Sequence, residues 1–276
     1  MLAPDYLVIG HITRDLLPAG GEAPGGTARY AAAVAVRLGL RAAILTAGDP
    51  AALPPPAGAA LAASPSPLLT TFANRYGPSG RRQWLHAVGA PVDLAALPAA
   101  WRAAPVVHLA PVAAELDLAA ALDAFPRALI GVTPQGWMRA WAPPLPAEVR
   151  YAPWRPSPAL LRRVGLVVLS VEDLAGDEAA AVAYAEYCPL VVVTRGAAGA
   201  TLYLRGAPRD VAPFPAVERD PTGAGDVFAC AMLARLHETG DPAGAAAFAS
   251  AAAALSVAGP GLGALTGRAA VERLLG

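Results

Sequence analysis

The chain of 276 residues, 55% of them hydrophobic, has the length and the apolar material for one large α/β domain with a sizeable core. Its 21 basic and 21 acidic side chains cancel, which excludes a global field drawing the protein to nucleic acid or to an anionic membrane surface. Every basic residue is an arginine, so a Walker-type lysine loop is excluded as well. Any phosphate contact must come from arginine, from backbone N–H groups or from a metal ion.

In chain order, short apolar, β-branched runs alternate with alanine-rich helical stretches, the pattern of βα units around a mainly parallel sheet. Strands are expected at 6–9, 42–46, 106–109, 128–132, 166–169 and 190–194, and each is nearly continuous in apolar residues, as a sheet covered on both faces requires. Helices are expected at 27–38, 113–124, 177–187, 223–237 and 242–258. Between 50 and 67 the Pro/Ala-rich sequence reads as a loop with one short helix, and 134–158, rich in proline and carrying Trp137, Trp141 and Trp154, reads as an ordered extended connection. At 69–88 polar and apolar residues alternate on either side of Gly77, Pro78, Ser79 and Gly80, which predicts a hairpin able to act as a lid.

The N-terminus lacks a basic segment followed by a long apolar run, and the uncharged stretch 242–265 is alanine-rich and broken by Gly259, Pro260, Gly261 and Gly263. No signal peptide and no membrane span are expected, and a cytoplasmic location follows. Cys188 and Cys230 show no metal-ligand spacing and read as reduced core residues.

Chemistry concentrates in Asp220-Pro221-Thr222-Gly223-Ala224-Gly225-Asp226, which precedes an apolar helix. With Thr222 as cap and Gly223, Ala224 and Gly225 as first turn, several N–H groups without intrahelical partners point at one spot, an anion site. Glycine in a first turn sacrifices about 1 kcal/mol relative to alanine, and close approach of a phosphate is a reason to accept that loss. Asp226 stands at the positive end of the helix dipole, which favours its ionised form. A well-placed carboxylate suffices as proton acceptor in phosphoryl transfer, where the nucleophile loses its proton late. For a lone aspartate at a helix start, simple complementation of the dipole would be the plainer explanation.

The segment DPTGAGD resembles the C-terminal signature of the ribokinase-like, PfkB-type carbohydrate kinases, and other motifs match in order over nearly the whole chain. The resemblance implies a doubly wound, mainly parallel α/β sheet with helices on both faces and a small β-hairpin lid, in one kinase domain. It implies ATP and Mg²⁺ as cofactors and a small sugar or polyol as substrate, with Asp226 as base and the Gly223-Ala224-Gly225 backbone as anion hole. Asp15, in Gly10-His11-Ile12-Thr13-Arg14-Asp15, is similar to the family aspartate that binds substrate hydroxyls, and Gly25-Gly26 resembles the glycine pair beside the sugar. Thr194, Gly196 and Gly199 resemble the TxGxxG element beside the nucleotide phosphates; a plain hairpin turn reads equally well there. Thr222 and Ser250 join the nucleotide side by the same resemblance.

Departures from the family pattern shape the remaining expectations. Ser170-Val171-Glu172-Asp173 stands where the family has NxxE, so Asp173, with Glu172 beside it, is the expected Mg²⁺ organiser, and Asp220 is a further metal candidate, leaving a monovalent cation open. Tyr30 replaces a sugar-binding asparagine and Thr27 a lysine, and the spacing looks closer to plant-type myo-inositol kinases. The Tyr30 ring would pack on a cyclic polyol, leaving Asp15 and Asn74 or Arg82 for its hydroxyls. A nucleoside kinase and a catalytically silent sugar- or nucleotide-binding regulator remain the alternatives, and a homodimer through the hairpin is open. A dinucleotide-dependent oxidoreductase is excluded, because Gly10-His11-Ile12-Thr13-Arg14 is not GxGxxG.

Overall fold

The computed structural model describes every residue except Met1, Leu53, Pro78 and Ser79, with only the backbone described for Tyr76, Gly77, Gly80 and Arg81. The strands are β1 (Tyr6–Ile9), β2 (Thr13–Leu16), β3 (Glu22–Gly25), β4 (Ala42–Ala47), β5 (Ala60–Ser64), β6 (Thr71–Gly77), β7 (Gly80–Ala87), β8 (Val106–Leu109), β9 (Leu129–Val132), β10 (Arg139–Ala140), β11 (Ala147–Glu148), β12 (Arg150–Tyr151), β13 (Leu166–Ser170), β14 (Leu190–Thr194), β15 (Ala200–Leu204) and β16 (Ala207–Val211). The α-helices are α1 (Thr27–Arg37), α2 (Leu118–Ala124), α3 (Pro158–Leu161), α4 (Ala179–Ala185), α5 (Ala224–Thr239), α6 (Pro242–Ser256) and α7 (Arg268–Leu275).

Nine strands form the main sheet in the order β16-β15-β14-β13-β9-β8-β1-β4-β5, parallel from β5 to β14 and antiparallel over β15 and β16. The apolar runs are continuous because alternate residues serve opposite layers. Tyr6, Val8, Val168 and Val192 pack under α1, α5 and α6, whereas Leu7, Ile9, Val167, Leu169, Val191 and Val193 pack against the layer holding Trp101, Leu122, Leu161 and Tyr184. The chain leaves β1 toward β4 on one side and returns to β8 on the other, and crevices at such switch points, at the C-terminal strand ends, are where α/β sheets bind ligands.

Above that end sits a second sheet, ordered β11-β7-β6-β2-β3. β6 and β7 pair from Thr71↔Ala87 to Gly77↔Gly80, and the expected turn residues Pro78 and Ser79 lie outside the described residues. The hairpin does not stand alone: residues 13–16, not among the expected strands, form β2, which pairs with both β3 and β6, and β11 joins from the stretch expected to be a connection. Alternation places Phe72, Asn74, Gln83 and Leu85 on one face, and Phe72 and Leu85 are buried against Val112 and Ala113 at the end of β8. That face looks toward the strand ends.

Other expectations need correction. Residues 60–64 form the edge strand β5 instead of loop or helix, since their backbone pairs in parallel with β4 from Ala43↔Ala60 to Ala47↔Ser64. The helix expected at 113–124 begins only at Leu118, capped by Asp117, because the buried Glu115 carboxylate accepts from the amides of His11, Val112 and Ala113 and Ala114 has φ 59°. Among the described residues no helix is long and apolar enough to cross a membrane.

Candidate active site

α5 begins at a position only glycine fills well. Gly223 has φ 82°, and a Cβ there would lie 2.3 Å from Tyr30 Cδ1, so the turn and the adjacent ring both require its absence. Thr222 is not the cap, as expected from sequence; Gly223 is, with no side-chain cap bond, while the Thr222 N–H is donated to Asp220 Oδ1 at 2.9 Å. Ala224 N–H goes to the Pro221 carbonyl at 3.1 Å, and the first full helical bond runs from Val227 N–H to the Gly223 carbonyl at 2.9 Å. The amides of Gly225 and Asp226 therefore precede the helical ladder. No atom lies within 4 Å of where a Gly225 Cβ would be, so packing does not require this glycine.

Gly225 and Asp226 line a cleft of about 60 Å³ together with Thr27, Thr133, Gln135, Val168, Leu169 and Asp173. Thr27 is the first residue of α1, whose N-cap Gly26 has φ 92°. The amino ends of α1 and α5 thus converge on one cleft, with positive dipole ends suited to an anion.

On the neighbouring side, Asp15 on β2 accepts from Thr13 Oγ1 at 2.9 Å and abuts the backbone of Gly25, where a Cβ would fall 2.2 Å from Asp15 Oδ2. Register puts Asp15 opposite Phe72, on the face that looks toward the strand ends. Tyr30, half-buried on α1, connects the two sides. Burial, and then the charges of Asp226, Asp220 and Asp15, push its phenol up to about 12, so it stays neutral amid these carboxylates. Asn74 shares the inward face and accepts from Gln83 Nε2 at 2.9 Å. Arg82 is not brought to this site: it lies on the opposite face, donates to Glu148 Oε1 at 2.7 Å and stands over the Trp84 ring.

Of the expected metal residues, Asp173 lines the cleft, with Oδ1 accepting from Gln135 Nε2 and Oδ2 from the Ser170 amide and hydroxyl, all at 2.9 Å. Glu172 is exposed and outside the cleft lining, because the turn after β13 points it away. Asp220 accepts from the amides of Thr222 and Gly261, tying the loop before α5 to the turn after α6. Among the described residues no three His, Cys, Asp or Glu side chains gather as a metal site.

Thr194 lies beside Ser170 at the ends of β14 and β13. Gly196 and Gly199, φ 52° and 83°, form the turn from β14 into antiparallel β15, so the plain hairpin exists there whatever ligand it also meets. Ser250, buried on α6, donates its hydroxyl to the Ala212 carbonyl at 2.9 Å, holding α6 to the segment after β16. Sequence reasoning missed Thr133 and Gln135. Their signal was present, two polar residues directly after a continuous apolar strand, where ligands of parallel sheets bind.

Residues 166–266, which carry Asp173, the β14–β15 turn and the start of α5, match the family model described as pfkB family carbohydrate kinase. Over a shorter stretch, 46 residues or 17% of this chain, it is 54% identical to the inositol 3-kinase of Zea mays, of whose own length the match spans 12%. Among solved structures, a pyrophosphate-dependent kinase in the ribokinase family, complexed with a pyrophosphate analog and myo-inositol, superposes with a TM-score of 0.80 at 19% identity, over 97% of this chain and 99% of that one. The ribokinase of Arabidopsis thaliana complexed with ribose and ATP does so at 0.72 and 18%, over 99% of both chains. The fold is therefore that of the ribokinase-family kinases.

Proposed function

We propose that the protein transfers a phosphoryl group from ATP to a hydroxyl of a small sugar or cyclic polyol, with myo-inositol the favoured acceptor. The observation that carries this reading is the shared cleft of Gly225 and Asp226 at the converging amino ends of α1 and α5, next to the Asp15 and Tyr30 side. The likeness to inositol 3-kinase and to a kinase complexed with myo-inositol supports the acceptor class.

In this mechanism Asp15 accepts hydrogen bonds from acceptor hydroxyls, and the neutral Tyr30 ring packs against the C–H face of the ring. Asp226 takes the proton from the attacking hydroxyl late in a loose transition state, which a weak base can do. The amides of the first turn of α5 stabilise charge on the equatorial phosphoryl oxygens. A bound Mg²⁺ would supply positive charge to offset the negative charge of the donor phosphates. Asp173 would suit it as a contact through water, because its carboxylate lines the cleft, is fixed in orientation by Gln135 and Ser170, and keeps acceptor capacity on Oδ1.

The donor has a second reading. The structural neighbour bound to a pyrophosphate analog makes inorganic pyrophosphate the competing donor. Assaying ATP and pyrophosphate separately against myo-inositol, hexoses and nucleosides tests both choices. Ester formation on myo-inositol is expected; product from nucleosides alone would make this a nucleoside kinase, and binding without product a silent regulator.

A further inference from the structure

Beneath the cleft runs a buried chain of polar groups that the mechanism above does not use. Tyr6 on β1 and His108 on β8 are both 0% exposed, and Thr133, directly after β9, is 9% exposed. Tyr6 Oη lies 2.8 Å from His108 Nδ1, and His108 Nε2 lies 3.0 Å from Thr133 Oγ1. Thr133 in turn lines the cleft with Gly225 and Asp226.

The protons in this chain can be ordered by counting donors and acceptors. Burial pushes the His108 imidazole down to about 3, so it is neutral and carries one N–H and one lone pair. The Tyr6 hydroxyl has two acceptors in reach, His108 Nδ1 and the Cys230 sulfur. Sulfur accepts weakly, and the Cys230 thiol already donates to the Ala31 carbonyl at 3.2 Å. Tyr6 therefore donates to Nδ1, which leaves the imidazole proton on Nε2, where it is donated to Thr133 Oγ1. With its oxygen accepting from His108, the Thr133 hydroxyl cannot point its proton back along the chain. Because Thr133 lines the cleft, that proton is available to a group bound there.

We infer that Thr133 is a further phosphate-binding donor, its hydroxyl fixed by Tyr6 and His108 so that it meets an anionic oxygen of the transferring group in the cleft it shares with Gly225 and Asp226. The inference rests on the phosphotransfer reading. Thr133 touches the substrate; His108 and Tyr6 are positioning residues. Removing the Tyr6 hydroxyl frees the imidazole to take the other tautomer and accept from Thr133, which turns the hydroxyl away from the cleft.

Two measurements test this on the whole chain. Long-range ¹H–¹⁵N correlation spectra of histidine-labelled protein report the tautomer of His108 without any turnover: Nε2–H is expected in the wild type, and Nδ1–H would overturn the inference. Kinetically, Thr133→Val is expected to lower kcat about tenfold to a hundredfold, the range for losing a hydrogen bond to a charged group, while Thr133→Ser keeps most of the rate. Tyr6→Phe is expected to cost about threefold to tenfold alone and almost nothing in the Thr133→Val background, because both act through one hydroxyl. Additive losses would mean that Tyr6 is merely structural and would overturn the relay. If the wild type turns over and Thr133→Val does so equally well, this inference alone fails; if the wild type makes no phosphoester from any donor, the phosphotransfer reading falls and takes this one with it.

Discussion

Replacing Gly225 by alanine should make the protein more stable and less active. A Cβ at Gly225 meets nothing within 4 Å, and the residue lies inside the first turn of α5 without a positive φ. Alanine in a helix is favoured over glycine by about 0.5–1 kcal/mol, which for a chain of this size raises Tm by about 1–4 °C. The new methyl group would sit at a cleft of only about 60 Å³, next to the amides proposed to hold the phosphoryl group. A fall in kcat of about tenfold to a thousandfold is expected, the range for disturbing an anion hole. Gly223→Ala serves as the control. Its φ of 82° adds about 1–2 kcal/mol of strain, and a Cβ 2.3 Å from Tyr30 Cδ1 forces the ring aside, at about 1–3 kcal/mol more. That variant should lose stability and activity together. Thermal melts and urea titrations alongside steady-state kinetics distinguish the two. If Gly225→Ala turned over like the wild type, the open space at this glycine would not be the phosphate's place.

Two more predictions follow from the same geometry. Asp15→Ala should raise the acceptor KM by about tenfold or more with little change in donor KM, the signature of losing hydrogen bonds to one substrate only; equal rises in both would make Asp15 a structural residue holding β3. Stability should fall on acidification from about pH 6.5 toward 3 in a limb that belongs to His108, whose imidazole is pushed down to about 3 in the fold. The depressed value means that the unfolded chain binds the proton first, so the slope is about 1.4 kcal/mol per pH unit. Urea midpoints for the wild type and His108→Gln at several pH values check it, the variant lacking that limb.

Much of this architecture was legible in the residues. The central strands stand within a residue or so of where continuous apolar runs put them, because burial on both faces leaves a signal independent of the partner strands. Elements whose stability comes from distant partners were not legible. Residues 113–117 look helical until Glu115 is seen collecting the amides of His11, Val112 and Ala113, and β2, β3, β5 and β11 are short, marginal strands that exist only through their neighbours. At the site, the sequence pointed to a helix start at the glycines before Asp226, but the cap belongs to Gly223 instead of Thr222, since positive φ and the Tyr30 ring decide that position. The placement of Arg82 was not legible, because strand alternation alone does not say which face of a hairpin meets the rest of the fold; Phe72 and Leu85 pack on Val112, and Arg82 lies on the other face.

The central claim is that a phosphoryl group passes to a hydroxyl beside Asp226. Phosphorus NMR of the enzyme incubated with myo-inositol and ATP, or with pyrophosphate, follows donor loss and ester formation in one spectrum. The wild type should yield a phosphomonoester resonance, and Asp226→Asn should form it about 10² to 10⁴ times more slowly while still binding the donor. Ester growing at the same rate in both proteins would contradict the assignment of Asp226 as the proton acceptor.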